Sequence, residues 1–555
     1  MEPSPGQTQS DSIPEKKGAN SPTWDNPSSA HKGLMTLVAV MPILGTVYQT
    51  LVLTDLADDV IRRGIESDSR DGIWLSAVWG LFTIYGVFGG VGISKKLGAR
   101  NTILLGTGIF VLGNLLCGMA TSFSAMLFAR GVEGIGKGMT IVLVRSYLYS
   151  RFDRMLLSAV LLYGSLAYAT RGSSPLIAAM INEALSWRWI YWINIPFGLL
   201  AMALIYSLLP ADQPQSARLK KTPENSPGEA KSKAPEIDML FINALVFWLI
   251  SLLFVFGWVR EKGGFTSNTY TAIVIFSGLL FAFLAIRLVI NIRRGNQMSR
   301  IIRSKTYLCA MSGRMLLLLH LAAVMGILSK YMVNLRGYPR ETAGWVYVPV
   351  TCALALSFWI CVQIKHRDWR HLTLVIGGTG TSASVLWLSQ IDLATPGYHI
   401  SFVLTIWGFF LGMLPASFLI DEVECMRKED MPIAGAFAIV CLAAPLIIIP
   451  ALMSTAVSNG SDIAFEAQRR NIRSGRPVVQ ATLERSAILL SDKGFDGEQT
   501  AALSFGAIGA MVKLQSTAMG IQGGLRGLGL ATGLLGAIIS LILLWMPGDR
   551  VIRVT

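Results

Sequence analysis

Long apolar stretches alternate with short polar ones from residue 34 to residue 546. A helix rises about 1.5 Å per residue and the hydrocarbon core of a bilayer is about 30 Å thick, so roughly twenty apolar residues cross it. The stretches 34–54, 73–93, 102–121, 126–148, 156–181, 189–209, 239–259, 270–291, 306–331, 343–363, 371–389, 400–420, 434–457 and 517–546 meet or approach that length. Segments 434–457 and 527–545 carry no charged residue. A soluble core helix has no reason to be apolar all round for so long. The pattern predicts an all-α, polytopic membrane protein with 14 transmembrane helices.

The polar gaps set the orientation. Loops after even-numbered spans hold Lys95, Lys96 and Arg100, then Arg151 and Arg154, then Arg293, Arg294, Arg300, Arg303 and Lys305, then Lys365, Arg367 and Arg370. The loop after the first span is acidic, with Asp55, Asp58, Asp59, Glu66, Asp68 and Asp71. Lys and Arg in short loops stay cytoplasmic, so both termini are expected inside a cell membrane that the chain crosses many times. Residues 1–33 read as a disordered cytoplasmic tail, not a signal peptide. A six-helix bundle follows over 34–210, then a flexible cytoplasmic linker over 211–238. Residues 239–304 supply two inserted helices and a basic loop. A second six-helix bundle covers 305–546, and 547–555 form a cytoplasmic tail. The second bundle includes an outer loop, 458–516. Within it 478–490 has helical amphipathicity, and another helix from about Gln499 is expected to run into the last span.

Composition agrees. Of 555 residues, 52% are hydrophobic and 15% charged, against about a quarter charged in soluble domains. The net charge of +14 reads as topological anchoring, because no basic platform interleaved with aromatics points to nucleic acid. The cysteines, Cys117, Cys309, Cys352, Cys361, Cys425 and Cys441, form no C-x-x-C or His/Cys cluster, so no metal or cofactor is expected. No nucleophile–base constellation suggests an enzyme.

Polar residues inside the spans carry the chemistry. Arg130, Glu133 and Lys137 recur at i, i+3 and i+7 and share one helix face. Charges there are costly unless they face a wet cavity or pair with one another, and both readings stand. Gly134 and Gly138 permit close helix approach. His320, midway along the ninth span, titrates near neutrality when unperturbed. Arg171 lies near mid-membrane; Arg314 and Arg526 lie near helix ends, where they can snorkel or meet lipid phosphate. Asp421 and Glu422, at a cytoplasmic helix end, read as solvated. The positive balance favours anionic or zwitterionic solutes over lipophilic cations.

Three motifs carry a resemblance. The stretch Ser186-Trp187-Arg188-Trp189-Ile190-Tyr191-Trp192-Ile193-Asn194-Ile195-Pro196-Phe197-Gly198 places tryptophans at the outer interface and a Pro/Gly bend at the start of the sixth span. The loop Ile93-Ser94-Lys95-Lys96-Leu97-Gly98-Ala99-Arg100 and the helix Leu127 to Gly138 complete the set, with Gly337-Tyr338 through Ala343-Gly344 to Pro349 as a weaker fourth. Together they resemble the major facilitator superfamily, and within it the fourteen-span drug:proton antiporters of the EmrB/QacA type. That resemblance implies a 6+2+6 fold. It also implies a structural part for Lys95, Lys96, Gly98, Gly134, Gly138, Pro175, Trp187, Arg188, Trp189, Asn194, Pro196 and Gly198. Arg130 stands where the family places a coupling arginine, and Glu133 and His320 are the nearest proton carriers. Lys137, Arg171, Arg314 and Arg526 would be cavity charges. The match is imperfect. Ser174, Ala178 and Ala179 replace glycines around Pro175, and Gly45 and Gly523 stand where EmrB-type members carry acids.

The expected function is therefore a secondary transporter exporting a small organic solute or drug by alternating access with proton antiport. An uncoupled facilitator or exchanger of the same fold is the first alternative. A degenerate transporter acting as membrane scaffold or sensor, docking through 458–516, is the second. The expected partners are the solute, the bilayer and, by analogy alone, a membrane-fusion adaptor.

Overall fold

The computed structural model describes chiefly residues 35–47, 57–67, 72–151, 184–210, 238–258, 264–294, 304–364, 367–424, 430–470 and 497–545, with isolated positions between them. Every regular element among the described residues is helical. The elements are α1 (Met35–Val47), α2 (Asp58–Gly64), α3 (Gly72–Leu97), α4 (Ala99–Met119), α5 (Phe123–Arg151), α6 (Trp189–Leu208), α7 (Met239–Trp258) and α8 (Asn268–Arg293). They continue with α9 (Lys305–Lys330), α10 (Val348–Val362), α11 (Arg367–Leu388), α12 (Gly397–Glu424), α13 (Met431–Arg469) and α14 (Gly497–Trp545). Among the described residues nine helices are long and apolar enough to cross a membrane, and two shorter apolar helices, Met35–Val47 and Leu372–Leu388, accompany them. Much of the expected fifth span, with Arg171 and Pro175, lies outside the described residues, as do the two tails and most of the linker.

Local signals explain where helices begin. Ser267 and Ser304 accept from the backbone N–H of Tyr270 and Tyr307, capping α8 and α9. Gly98, with φ of 82°, makes the turn from α3 into α4, a backbone angle that L side chains avoid.

Packing follows from small residues. A Cβ on Gly138 would stand 2.2 Å from the Thr83 carbonyl, and one on Gly113 would stand 2.4 Å from the Glu133 backbone. The backbones of α3 and α4 therefore both touch α5, as small residues in membrane helices permit. In the C-terminal half, α10 and α12 pack together, α12 also meets α9 and α11, and α13 pairs with α14. The halves meet where α13 lies against α3 and α5: Phe88 stacks edge-on with Phe437 at 5.9 Å, and Gly80 faces Ile447. The helices α7 and α8 pack on one another, and α7 touches α13 through Thr455, which donates to the Phe256 carbonyl at 2.5 Å.

Two helices depart from the expected span lengths. Helix α13 runs 39 residues and α14 runs 49, about 58 and 73 Å against a core of about 30 Å. The continuous path from the outer loop into the last span agrees with the sequence. The extension of α13 to Arg469 does not, because polar residues after 457 end an apolar stretch without ending a helix. The two helices form a hairpin locked by close backbone approach at Gly520 and by Ser516, whose hydroxyl donates to Gln468 at 3.1 Å. Within the amphipathic segment 478–490 the described residues, 480–481, 483–485 and 487–488, are helical, as expected.

Candidate functional site: two buried charge clusters

The first cluster lies inside the N-terminal half, among α3, α4, α5 and α6. Arg130 donates through Nη1 to Glu133 Oε2 at 2.6 Å, and both side chains are fully buried. Trp79 donates its indole N–H to Glu133 Oε1 at 3.1 Å, and the Cys117 thiol approaches Oε2 at 3.7 Å. The Lys137 ammonium sits 3.1 Å from the centre of the Trp79 ring. The Arg130 guanidinium lies 5.3 Å from the same ring and 5.9 Å from that of Tyr191, with its Nε directed to the Leu75 carbonyl at 3.4 Å. Two cations and one carboxylate thus share a sealed pocket whose walls are one indole, one phenol ring and a backbone carbonyl. Burying ions this way is tolerable only with such pairing. The three predicted charges do come together, packed within a bundle and closed to solvent.

The second cluster bridges the halves near the end of α5, the start of α9 and the end of α12. Glu422, near the end of α12, is only 3% exposed and takes Arg145 of α5 and Arg314 of α9 on the same oxygen, Oε2, the latter at 2.5 Å. The reading of Glu422 as solvated is corrected here. Helix α12 continues past the apolar boundary at 420 to Glu424, which carries the carboxylate under the opposite half. The Asp421 side chain lies outside the described ones. Arg314 is likewise buried and paired, its guanidinium 5.1 Å from the Phe418 ring, so it neither snorkels nor reaches the membrane surface.

The remaining predicted positions separate. His320 is completely buried, with Nδ1 2.9 Å from the Leu316 carbonyl. Arg526 is exposed on α14. Lys95 is half-buried and Lys96 exposed; their neighbour Arg100 donates to the Tyr206 carbonyl at 2.6 Å and lies over its ring, tying the third span to the end of the sixth. Trp187 is buried against Gly64 of α2, with Arg188 over its ring at 4.6 Å, while Trp189 is exposed. Asn194 donates to Asn114 at 2.9 Å, and Gly198 lets α6 close on Val111. Pro196 lies within the first turn of the helix that follows Ile193, where its missing N–H is not needed.

Sequence reasoning missed Trp79, Arg145 and Asn114. Arg145 had a usable signal. At 3.6 residues per turn it sits about 60° around α5 from Arg130, outside the stripe of the first cluster, and a second intramembrane cation on one helix asks for a second partner.

Comparison with known proteins places the chain in a family. Residues 33–450 match the family model described as Major Facilitator Superfamily. An MFS-type transporter of Mycobacterium tuberculosis is 22% identical over 409 residues, covering 72% of this chain and 56% of that relative. The chain thus spans little more than half the length of that relative. Multidrug resistance protein Stp of the same species is 21% identical over 352 residues, covering 62% of this chain and 61% of Stp. Multidrug export protein EmrB of Haemophilus influenzae is 24% identical over 180 residues, covering 32% and 35%. With apolar helices repeated along its length and a family match across most of it, the chain is a multi-pass membrane protein that belongs to the Major Facilitator Superfamily, a divergent member similar to EmrB-type transporters.

Proposed function

We propose that this chain is a secondary active transporter that exports a small organic solute by alternating access, in a cell membrane, with fourteen spans in a 6+2+6 layout and both termini cytoplasmic. One observation carries the reading: α5 of one half is joined to α9 and α12 of the other by Arg145, Glu422 and Arg314. A permanent seam is best built from apolar side chains, because buried ion pairs barely repay their desolvation. A seam that must part and re-form is different. Its ions regain water on opening, which lowers the cost of the open state.

Proton antiport is assigned to Glu133 with Arg130, and His320 is the second carrier. A proton on Glu133 removes the charge that holds Arg130 and Trp79 in place, so occupancy and packing are linked at one carboxyl. The uncoupled facilitator stays as a second reading, favoured by Gly45 and Gly523.

The test is reconstitution in liposomes with an imposed pH gradient and a panel of anionic, zwitterionic and cationic solutes. Solute-dependent proton movement is expected in the wild type and its loss in Glu133→Gln. Proton movement that persists in Glu133→Gln removes the assignment. Solute flux indifferent to the gradient selects the uncoupled reading.

A further inference from the structure

We propose that the inserted pair α7–α8 is a strap over the seam between the halves: α13 carries it, and α7 slides on α3 each time the halves rock. The inference rests on the transport reading and adds a part that must move.

The sequence of the pair makes it one unit. On α7, Ile242, Val246, Leu249 and Leu253 are buried at spacings of four, three and four, a single stripe that joins the main core. On α8 the buried residues are Tyr270, Ser277, Leu284 and Asn291, one at every seventh position. That is the repeat by which two helices coil around each other. Polar contacts fix the pairing at both ends. Tyr270 donates to the Val255 carbonyl at 3.1 Å, and Asp238 receives Arg287 at 2.9 Å and Asn291 at 3.0 Å. The pair meets the bundles chiefly through α7.

Helix α7 lies along the seam. Helices α3 and α13 run antiparallel there, with Phe88 against Phe437 at one level and Gly80 against Ile447 at the next. Continued by about two turns, that register brings Trp74 level with Thr455. Helix α7 touches both: the Phe254 ring lies 4.9 Å from the Trp74 ring, and the Phe256 carbonyl accepts from Thr455 at 2.5 Å. At the other end of α7, Phe437 stands between two rings, Phe88 of α3 at 5.9 Å and Phe241 of α7 at 6.5 Å. From Phe241 to Phe256 is about 22 Å of helix, most of the thickness of a hydrocarbon core.

The two holds are unequal. Helix α13 grips α7 at both ends, by Phe437 and by the directed bond from Thr455. Phe437 also packs on the small separate core of Phe241, Ala244 and Leu284. Toward α3, Phe254 presents a ring to a tilted ring, a contact with no directed bond that tolerates sliding. Rocking turns α3 against α13, and one helix cannot keep register with both. It stays with α13, and its apolar stripe keeps the parting seam covered from the hydrocarbon.

Short thiosulfonate bridges test the strap on the full chain in liposomes, with the native cysteines replaced by alanine. Efflux of rhodamine 123, ethidium and carboxyfluorescein is read under an imposed pH gradient. Bridging Trp74→Cys to Phe254→Cys should slow the dye that moves by at least about tenfold, since a protein held on one side of its equilibrium cycles only through the residual population. A reducing agent should restore the rate. Bridging Phe241→Cys to Phe437→Cys should leave it unchanged. An unslowed rate in the first pair, or a slowed one in the second, overturns the strap.

A second measurement leaves every strap contact in place, in case those variants do not fold. Spin labels at Lys96→Cys on α3, Thr269→Cys on α8 and Lys305→Cys on α9, all exposed positions, are taken two at a time in nanodiscs, in mildly acidic and mildly basic buffer. Wherever the Lys96–Lys305 distance changes, the Lys96–Thr269 distance should change with it while Thr269–Lys305 stays fixed. A Thr269–Lys305 distance that moves while Lys96–Thr269 stays fixed puts the strap on α3, which rejects the proposal and spares the transport reading. A Lys96–Lys305 distance that never changes, together with no flux of any dye, sinks the transport reading and the strap with it.

Discussion

Lys137 and Glu133, of opposite charge, are held by the same side chain: the Trp79 ring faces the ammonium at 3.1 Å, and its N–H meets the carboxylate at 3.1 Å. One indole thus spaces a cation and an anion one helical turn apart. Trp79→Phe keeps an aromatic face and loses the hydrogen bond, about 1.5–3 kcal/mol for a charged acceptor. Trp79→Leu loses the face as well, worth about a further 2 kcal/mol for a desolvated cation. Thermal unfolding in detergent should therefore rank wild type above Trp79→Phe above Trp79→Leu. Equal losses for the two variants would mean that the ring contributes only its N–H and volume.

Charge arithmetic ranks two further variants. Arg130→Gln leaves Lys137 and Glu133, one cation and one anion, at i and i+4 on the same helix. Glu133→Gln takes from Arg130 the carboxylate it pairs with and from Lys137 the anion one turn away, and removing one member of a buried pair costs about 3–5 kcal/mol. The Glu133→Gln protein should unfold at the lower temperature. The reverse order would locate a compensating anion for Lys137 elsewhere.

The helices were legible because the bilayer forces the pattern. A backbone in hydrocarbon must satisfy its own hydrogen bonds, so apolar length reports helices directly. The face holding Arg130, Glu133 and Lys137 was equally legible from spacing. What faces that face was not. Trp79 counts as one more apolar residue in its span, and its N–H has meaning only once Glu133 stands opposite. Glu422 failed for a related reason. Charge beside an apolar boundary looks solvated, and the partner on α9 is 108 residues away in the chain. The lengths of α13 and α14 were misjudged because hydropathy tracks the solvent around a helix and not its hydrogen bonding.

Asp238 offers a pH-dependent test outside the spans. Its carboxylate caps α7 through the Phe241 N–H at 3.2 Å and receives Arg287 at 2.9 Å and Asn291 at 3.0 Å, both from the end of α8. Partial burial pushes its pKa up, but the Arg287, Asn291 and backbone hydrogen bonds outweigh that and hold it below the usual aspartate value. A depressed pKa in the folded state contributes stability above the unfolded value, about 4, and loses it as pH falls through the folded value. Asp238→Asn should therefore lower the unfolding temperature at pH 7, and the gap to wild type should close as pH drops below about 4. The pair is partly exposed, so its share is of the order of 1 kcal/mol. A gap independent of pH would assign the loss to capping alone.

Two glycines three residues apart on α14 should behave oppositely. A Cβ at Gly520 would stand 2.4 Å from the Val457 carbonyl and 2.7 Å from the Ser461 nitrogen, backbone atoms that cannot rotate away. Gly520→Ala must push α13 and α14 apart, breaking the Ser516–Gln468 contact beyond it, and overpacking of this kind costs about 1–3 kcal/mol. Gly523 has nothing within 4 Å of the same construction and is exposed. It is also the position where the resembled antiporters carry an acid. An aspartate in hydrocarbon costs about 2.5–3.5 kcal/mol, whereas an exposed substitution in water stays within about 0.5 kcal/mol. Gly523 is exposed and a Cβ there meets nothing, so Gly523→Asp should unfold at the wild-type temperature where that face meets water, while Gly520→Ala unfolds clearly lower in either surrounding. A large loss for Gly523→Asp would place that face of α14 in lipid, and so explain physically why this chain has no carboxylate there.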